Sequence, residues 1–236
     1  CDTYVEPFIG GGALMFHLLG SHEFDNVHIS DLNPELVLCY EELQRDASGV
    51  YDHLSSLIES YPSENEDRKP SFYAIRSDWN TRVGGIQGLS RADRARRAAQ
   101  TLFLNKTCFN GLFRVNRKGE FNVPIGGYVN PSFQSEEELL EVQGALEGVS
   151  IRLAPFERCV EWSGPGSFVY FDPPYRPLSD TASFVSYSKG DFDDDDQRSL
   201  AGVFRQLDEA GARLLLSNSD PRNTVPDDDF FDDDDE

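Results

Sequence analysis

The sequence predicts an α/β fold: a doubly wound, Rossmann-like parallel sheet with an inserted, mainly helical domain that carries a β-hairpin. Two observations lead to this fold class. Short apolar runs of strand length alternate with helical patterns at both ends of the chain, and a long middle stretch has helices and one aromatic loop instead. Strand–helix alternation is typical of parallel sheets. We therefore expect an α/β domain made of residues 1–47 and 145–236 and an inserted domain of residues 48–144.

The N-terminal part of the chain has the strand–turn–helix–strand–helix order that begins a doubly wound sheet. Turn residues bound each apolar run, and the proline at position 34 suits the first position of a helix. The expected elements are a strand at Tyr4–Phe8, a glycine turn at Gly10–Gly12, a helix at Ala13–Leu19, a strand at Asn26–Ser30 and a helix from Pro34.

The middle stretch has helical periodicity, followed by an aromatic loop rich in Gly, Asn and Pro. Six apolar residues of the segment Arg91–Leu104 share one face at helical spacing. The stretch is expected to form helices at Val50–Tyr61, Phe72–Asn80 and Arg91–Leu104, and then the loop Cys108–Pro131.

The α/β pattern returns in the last third of the chain. Acidic residues at Asp193–Asp196 suit the first turn of a helix because they complement the helix dipole, so they need no metal ion. Gly211 is a signal for the end of that helix. The expected elements are strands at Val149–Leu153, Phe168–Phe171 and Arg213–Ser217, and a helix from Gln197 to Ala210.

The composition limits the class of protein. The chain of 236 residues is 39% hydrophobic, which supports a packed core. It has no run of about 18 apolar residues that would cross a membrane, and nothing resembles a signal peptide, so we expect a cytoplasmic protein without membrane contact. The four cysteines form no C-x-x-C pair and share no metal-ligand spacing with the histidines, so no metal is expected.

Charge is unevenly distributed along the chain. The net charge of −21 argues against a nucleic-acid partner, but residues 81–130 contain nine basic residues and only two acidic ones. A basic segment in an acidic chain suits a polyanion. A solvated helix face is the alternative interpretation for Arg91–Arg97. It suits Arg114–Lys118 less well, because aromatic residues, Asn and Gly surround that group.

The glycine turn and an acidic residue after it predict a cofactor site. Backbone N–H groups of a glycine-rich turn between a strand and a helix can approach a polar or anionic ligand. Asp31 lies 19 residues after Gly12, at the end of the next strand, where a carboxylate can accept hydrogen bonds from ribose hydroxyl groups. A tight turn without a ligand is the alternative. The pattern suits either NAD or S-adenosylmethionine.

The tetrapeptide Asp172-Pro173-Pro174-Tyr175 follows the apolar run Phe168–Phe171, where a buried strand would end. A carboxylate, a proline carbonyl and an aromatic ring can hold a planar base by its exocyclic amino group. A simple turn at the strand end is the alternative. Attack by a cysteine on cytosine C5 is not expected, because that chemistry needs a cysteine after a proline. The residues before Cys39, Cys108 and Cys159 are Leu, Thr and Arg.

The string Glu-Pro-Phe-Ile-Gly-Gly-Gly-Ala from Glu6 to Ala13 and the tetrapeptide from Asp172 resemble the cofactor and catalytic motifs of Dam-like DNA adenine-N6 methyltransferases, the D12 class, alpha group. The resemblance covers nearly the whole chain. It implies S-adenosylmethionine as the cofactor and an adenine flipped out of double-stranded DNA as the substrate. The cofactor-binding residues that it implies are Glu6, Pro7, Phe8, Gly10, Gly12, Asp31, Phe156 and Asp172. The catalytic residues that it implies are Asp172, Pro173, Pro174 and Tyr175.

The aromatic loop contains a candidate DNA-reading hairpin. From its residues alone, both DNA contact and a structural β-ribbon are open, since Arg can pair with guanine and Asn can pair with adenine or hold phosphate. The strings Phe109–Asn116 and Gly119–Pro124 resemble the target-recognition hairpin of Dam-like enzymes, many of which act on GATC. The resemblance implies that Arg114 reads a guanine. The residues that it places at the DNA are Lys106, Phe109, Asn110, Leu112, Arg114, Asn116 and Pro124.

The sequence therefore predicts a site-specific, monomeric DNA methyltransferase that acts on adenine N6, with GATC as the candidate site and a cognate restriction endonuclease as a candidate partner. An N4-cytosine methyltransferase is the nearest alternative, because the same pocket chemistry serves either amino group. A catalytically silent DNA-binding remnant is the other. Relatives have a Gly-Gly-Lys segment before the first motif and further strands after Ser217–Ser219, so we expect the sequence to be part of a longer protein.

Overall fold

The computed structural model describes residues 1–62, 65–81, 86, 88–116, 118–175, 192–220 and 222. The strands of this part of the chain are β1 (Thr3–Glu6), β2 (Asn26–Asp31), β3 (Ser150–Leu153), β4 (Ser167–Phe171) and β5 (Arg213–Leu216). Its α-helices are α1 (Ala13–Leu19), α2 (Pro34–Ser60), α3 (Asn65–Asn80), α4 (Arg91–Thr107), α5 (Glu136–Ala145) and α6 (Asp194–Glu209). Short 3₁₀ helices are formed by Phe109–Gly111 and Phe156–Glu161.

The five strands form one sheet in the order β3-β2-β1-β4-β5, and every neighbouring pair is parallel. The strand order reverses direction between β1 and β4, and open α/β sheets bind ligands at the carboxyl ends of strands at such a reversal. Val5 of β1 lies opposite Val169 of β4. In this register Phe8 and Asp172 each lie three residues beyond the pair, so both follow the same edge of the sheet. The predicted α/β sheet is confirmed.

Helices cover both faces of the sheet. Alternate side chains of the central strands point to opposite faces, as the pleat of a strand requires. One face has Tyr4, Phe168 and Tyr170, which pack with α1, α2, α4 and α5. The other has Val5, Val169 and Phe171, which pack with α6 and the 3₁₀ helix Phe156–Glu161. The burial of both faces is typical of a parallel sheet.

A third apolar cluster joins α3, the end of α4 and an antiparallel hairpin of residues 108–125. In the hairpin, Val115 pairs with Phe121, and Cys108 pairs with Ile125. The buried members of the cluster are Phe72, Trp79, Leu104, Cys108, Phe121 and Val123. Because α4 contributes to this cluster and also to the core beside the sheet, it attaches the hairpin to the α/β part of the molecule.

The predicted strands are all present, and their ends differ from the prediction by at most two residues. The helices differ more. Two helices predicted separately form the single element α2, with a kink at Asp46, where φ is −161° and ψ is 73°. The helix expected from Phe72 begins earlier, at Asn65, because Pro70 does not end it. Pro70 is the sixth residue of α3, where a proline removes one hydrogen bond and crowds the carbonyl four residues earlier, but the helix continues through it.

Helix α5 was not predicted. It begins with a capping box in which the Ser135 side chain accepts the Glu138 N–H at 3.2 Å and the Glu138 carboxylate accepts the Ser135 N–H at 2.8 Å. The pattern Ser-x-x-Glu is a sequence signature of a helix start. The apolar periodicity of this segment is weak, since Leu139 is the one residue of α5 that is buried.

The predicted division of the chain places a boundary after residue 47, one residue beyond the kink in α2. The division into an α/β domain and an inserted domain stays a prediction. Within the described ranges, none of the helices is both long enough and apolar enough to traverse a lipid bilayer.

Candidate functional site

The glycine turn between β1 and α1 has a backbone conformation that suits glycine. Gly10 and Gly12 have φ values of 47° and 67°, in the left-handed region. A Cβ atom on Gly12 would lie 2.6 Å from the hydroxyl oxygen of Tyr40. The same hydroxyl donates a hydrogen bond to the Gly10 carbonyl at 3.1 Å. Tyr40 of α2 therefore supports the turn, and the glycine at position 12 leaves room for it.

Asp31, at the end of β2, contacts the glycine turn directly. One carboxylate oxygen accepts the Gly10 N–H at 3.3 Å, and the other accepts the Asn33 N–H at 2.8 Å. Burial raises the pKa of Asp31, and these backbone donors oppose the increase. A carboxylate has further lone pairs after two such bonds and can accept ribose hydroxyl groups with them. The structure thus brings together the two parts of the predicted cofactor site.

Aromatic and apolar side chains lie at the same edge of the sheet. Phe8 stacks on Phe156 with ring centroids 5.3 Å apart, and the edge of Phe192 meets both rings at 5.7 and 5.9 Å. Phe156 is only 4% exposed. Leu32 follows Asp31 directly and is 61% exposed. It was not among the site residues predicted from the sequence. An acidic group, ring surfaces and a glycine turn at one edge fit a cofactor that contains a nucleoside.

Glu6 and Pro7, also assigned to the cofactor site by the motif resemblance, are buried. The Glu6 carboxylate accepts a hydrogen bond from the Tyr4 hydroxyl at 2.7 Å. Burial raises the pKa of Glu6 to about 7, and the nearby charge of Asp172 adds to the increase. The two carboxyl groups therefore lie close enough to interact. Direct contact of Glu6 and Pro7 with a cofactor stays a prediction.

The tetrapeptide Asp172–Tyr175 follows β4 at the carboxyl edge of the sheet. Asp172 and Pro174 are exposed, Pro173 is buried, and Tyr175 is 52% exposed. The Asp172 carboxylate raises the pKa of Tyr175 through its charge and a hydrogen bond. The acid therefore does not point into the protein interior, and an aromatic ring lies next to it. This is the arrangement that a base-holding site requires.

Gln197 supports the tetrapeptide from α6. Its side-chain amide donates to the Pro174 carbonyl at 3.3 Å and accepts a hydrogen bond from Asn218 at 3.0 Å. Gln197 is 4% exposed, so the two bonds satisfy both ends of a buried amide. The side chain thus ties the segment after β4 to the segment after β5. Only packing reveals this role, because the partners are distant in sequence.

The residues assigned to DNA lie along one continuous part of the chain, from the end of α4 into the hairpin. Lys106, Asn110 and Pro124 are exposed, and Phe109 is 50% exposed. The Phe109 N–H donates to the Pro124 carbonyl at 2.9 Å, so these two residues are neighbours. Leu112, by contrast, is half-buried and packs against the third apolar cluster.

Arg114 and Asn116 have partners within the hairpin. The Arg114 Nε donates to the Asn122 side chain at 2.9 Å, and the guanidinium has two further nitrogens that can donate as a fork. The Asn116 side chain accepts the N–H groups of Lys118 and Glu120 and donates to the Glu120 carboxylate. Both ends of the Asn116 amide therefore hold the hairpin turn. Its contact with DNA stays a prediction, and Arg117 lies outside the described residues.

The four arginines of α4 divide into two pairs: Arg91 and Arg96 are exposed, as a solvated helix face predicts, whereas Arg94 and Arg97 are not. Arg94 pairs with Glu41 at 2.6 Å and with Glu42 at 2.5 Å. Arg97 is 1% exposed and makes two bonds to Glu35, at 2.8 and 2.6 Å. Neither of the two interpretations offered for the Arg91–Arg97 segment fits these two side chains. They are structural cations that fix α4 against α2.

Comparisons with known proteins all identify DNA methyltransferases or proteins named as methyltransferases. The family model described as D12 class N6 adenine-specific DNA methyltransferase matches residues 1–233. The chain is 49% identical to Type II methyltransferase M.MjaIII of Methanocaldococcus jannaschii over 217 residues, which cover 92% of this chain and 73% of the relative. It is 38% identical to Type II methyltransferase M1.LlaDCHI of Lactococcus lactis subsp. cremoris (92% and 72% covered). It is 33% identical to DNA adenine methylase of Serratia marcescens (94% and 76% covered).

Proposed function

We propose, from the premise that the chain belongs to the D12 class of N6 adenine-specific DNA methyltransferases, that it transfers a methyl group from S-adenosylmethionine to adenine N6. The adenine would be one flipped out of double-stranded DNA. One observation is the main support for the proposal. Asp172 is exposed beyond β4, and the glycine turn lies beyond the adjacent strand β1. The proposed acceptor for a base and the proposed turn for a cofactor both follow the carboxyl edge of the sheet where the strand order reverses, which supports the proposal.

The chemistry needs an acceptor for each amino proton. An adenine amino nitrogen is a weak nucleophile, because its lone pair is delocalised into the ring. The Asp172 carboxylate accepts one N–H and the Pro173 carbonyl accepts the other, which frees the lone pair for attack. Charge-assisted hydrogen bonds of this kind contribute roughly 1.5–3 kcal/mol each. Tyr175 stacks on the base. The new N–C bond forms as the S–C bond breaks, and solvent takes up the proton released from N6.

The cofactor assignment rests on the fit of the residues at the same edge. When bound, S-adenosylmethionine supplies an electrophilic methyl group on a sulfonium. Asp31 would accept the ribose hydroxyl groups, and the turn at Gly10 and Gly12 would lie against the amino-acid part. Phe8 and Phe156 would provide apolar ring surfaces. Placing the donor in line with N6 accelerates the reaction by proximity alone.

The hairpin is the proposed reader of DNA sequence. Arg114 would pair with a guanine through its two terminal nitrogens, a bidentate contact typical of major-groove recognition. Exposed Phe109 and Asn110 would lie at the opened base pair, with Leu112 beside them, and Lys106 would hold a phosphate. Asn116 and Pro124 complete the proposed set. The resemblance of the hairpin makes GATC the first sequence to assay.

The test is the product of methyl transfer. Protein, unmethylated duplex DNA and S-adenosylmethionine with a labelled methyl group are incubated, and the DNA is digested to nucleosides and separated. We expect labelled N6-methyldeoxyadenosine. Asp172→Ala should lower turnover by at least about 100-fold, the scale seen when one preorganised partner of the transition state is removed. DNA affinity, measured by fluorescence anisotropy, should change little. Asp208→Ala, at an exposed position of α6, is the control.

Other outcomes would contradict the proposal in different ways. Labelled N4-methyldeoxycytidine as the product would make the chain a cytosine methyltransferase. DNA binding without uptake of S-adenosylmethionine in calorimetry would indicate a silent remnant. Near-normal turnover in Asp172→Ala would remove the proposed catalytic role from that carboxylate.

A role in restriction–modification is part of the proposal. Two of the relatives are named Type II methyltransferases, which supports a cognate restriction endonuclease as the cellular partner. Marking of the chromosome is the alternative, supported by relatives named DNA adenine methylase. We propose that one copy of the chain methylates DNA as a monomer.

A further inference from the structure

The last residue of α3 takes the place of a neighbouring strand for the hairpin. The Asn80 side chain donates to the Phe121 carbonyl at 3.1 Å and accepts the Phe121 N–H at 2.8 Å. These are the two backbone bonds that a residue of an antiparallel strand exchanges with the residue opposite. Asn80 therefore specifies which residue of the hairpin lies at the end of α3.

Two arginines on the same face of α3 continue this contact along the chain. The Arg76 guanidinium donates to the Val123 carbonyl at 3.0 Å. The Arg68 guanidinium donates to the carbonyls of Tyr128 and Val129 at 2.9 and 2.6 Å. Around the helix axis Arg76 lies about 40° from Asn80 and Arg68 about 80° from Arg76, so the three polar residues share one side of α3.

The register of this segment decides which side chains face outward. Phe121 and Val123 are each 1% exposed and point into the third apolar cluster, whereas Asn122 and Pro124 between them are exposed. Because side chains alternate along a strand, a slip by one residue would exchange the buried and exposed sets. The hairpin's own ladder is short: in the described residues it has two isolated bridges and a few backbone bonds, such as Asn122 N–H to the Arg114 carbonyl at 3.1 Å. The contacts from α3 therefore add to a register that a two-stranded ladder alone holds weakly.

Asn122, one of the exposed residues, contacts Arg114, the proposed reader of a guanine. The Asn122 side chain accepts the hydrogen bond from Arg114 Nε at 2.9 Å. The outward position of Asn122 therefore fixes the plane of the Arg114 guanidinium and the direction of its two free nitrogens. A bidentate contact with guanine depends on that direction.

We propose that Asn80, assisted by Arg76 and Arg68, is a specificity-determining positioning residue of the methyltransferase. It fixes the register of the hairpin and thereby the choice of base, without contact with DNA. The inference rests on the proposed role of the hairpin in reading DNA.

The experiment compares two variants on the same turn of the same helix. Asn80→Ala removes both bonds to Phe121. Asp78→Ala is the matched control: Asp78 is also half-buried and also accepts two side-chain bonds, but from Arg96 and Gln100 of α4. The wild-type recognition site is first mapped by long-read methylation sequencing. The value of kcat/KM is then measured on that site and on duplexes with one base pair changed.

We expect Asn80→Ala to lower the ratio of cognate to altered-site kcat/KM by roughly ten-fold or more, the scale of one bidentate base contact. Arg114→Ala should lower the same ratio for duplexes altered at the same base pair. Asp78→Ala should keep the wild-type ratio, even if it lowers the unfolding midpoint equally. The KM for S-adenosylmethionine should be unchanged in all three variants, because the glycine turn is not touched.

The outcomes separate the inference from the proposed function. Absence of adenine methylation by the wild-type protein overturns the proposed function. A wild-type protein that is selective, together with an equally selective Asn80→Ala, overturns the inference alone. If Asn80→Ala does not fold, Arg76→Gln removes the contact to Val123 in its place, and unchanged selectivity in that variant overturns the inference as well.

Discussion

Glu6 and Asp172 are two carboxyl groups at the ends of adjacent strands, and their surroundings give them different properties. Glu6 is 2% exposed and bonded to Tyr4, whereas Asp172 is exposed at the edge of the sheet. Burial, with the charge of Asp172 as a further cause, raises the pKa of Glu6 to about 7. A group buried in this way prefers its neutral form. Asp172 is the accessible carboxyl group of the pair, as its proposed role requires.

The raised pKa of Glu6 predicts a pH dependence of stability. Between pH 4.5, the ordinary pKa of the group, and about 7 the folded protein holds a proton that the unfolded chain has lost. The free energy of unfolding should therefore fall as pH rises through this window. In Glu6→Gln the side chain stays neutral and still accepts from Tyr4. At pH 8 the variant should be more stable than the wild type by on the order of 3 kcal/mol relative to their difference at pH 4.

Urea unfolding at a series of pH values measures this effect. Glu147→Gln is the control, because it removes a charge from an exposed position. Parallel stability curves for Glu6→Gln and the wild type between pH 4 and 8 would show that folding does not raise the pKa of the Glu6 carboxyl group.

At the scale of single residues, the sequence identifies groups whose chemistry is distinctive. A carboxylate at a strand end and glycines in a turn can be recognised from spacing alone, and the structure places Asp31 on the turn as expected. The supporting side chains cannot be recognised in this way. Tyr40 and Gln197 lie on helices, and only tertiary packing brings them to the turn and to Pro174.

The glycine turn is the element whose geometry can be tested most directly. Gly12→Ala combines a left-handed φ with a Cβ atom 2.6 Å from the Tyr40 hydroxyl. The backbone strain alone should cost about 1–2 kcal/mol of stability. Affinity for S-adenosylmethionine, measured by calorimetry, should fall as well, because Gly12 is the N-cap of α1. Gly11→Ala is the control, since no atom lies within 4 Å of its Cβ position.

A second substitution separates the two causes of the Gly12→Ala defect. Tyr40→Phe removes the clashing oxygen and leaves the φ strain unchanged. Because Tyr40→Phe also removes the bond to the Gly10 carbonyl, the cost of Gly12→Ala is compared in the two backgrounds, and it should be smaller with Phe at position 40. An equal cost in both backgrounds would mean that the close approach to Tyr40 contributes nothing.

At the scale of elements, strands were easier to predict than helices. Every strand is a short segment with apolar residues between turn residues, so its position can be predicted from local sequence. Helix α5 was not predicted because its apolar face is nearly absent, although a capping box at Ser135 and Glu138 marks its start. The early start of α3 was not predicted, because a proline such as Pro70 usually indicates that a helix has not yet begun.

Arg97 links three parts of the molecule. Its guanidinium bonds to Glu35 in the first turn of α2, donates to the Trp79 carbonyl in α3 and lies 3.7 Å from the centre of the Trp79 ring. Trp79 in turn meets Phe113 and Phe121 of the hairpin, with ring centroids 6.1 and 5.9 Å apart. The start of α2, the end of α3 and the hairpin are therefore fixed to one another through one buried cation.

Removal of this cation should destabilise the whole fold. Arg97→Met leaves the Glu35 carboxylate buried without a partner, and the expected loss is about 3–5 kcal/mol. The double variant Arg97→Met/Glu35→Leu should recover most of it, because no unpaired charge remains. Urea unfolding provides the measurement. Arg158→Met, which breaks an exposed pair with Glu161, should change stability little, because solvent screens exposed pairs. A loss of that small size for Arg97→Met would show that the buried pair is not needed.

The parallel pairing of β1 with β4 has a consequence for synthesis on the ribosome. Thr3 pairs with Ser167, so the central strand meets one of its two neighbours only after most of the chain has been made. Until then one edge of β1 has unpaired backbone groups that can pair with other chains. Contacts of such long range also slow folding. A nascent chain that has not yet reached β4 holds the glycine turn but lacks the Asp172–Tyr175 segment, and such intermediates are the ones that chaperones would have to protect.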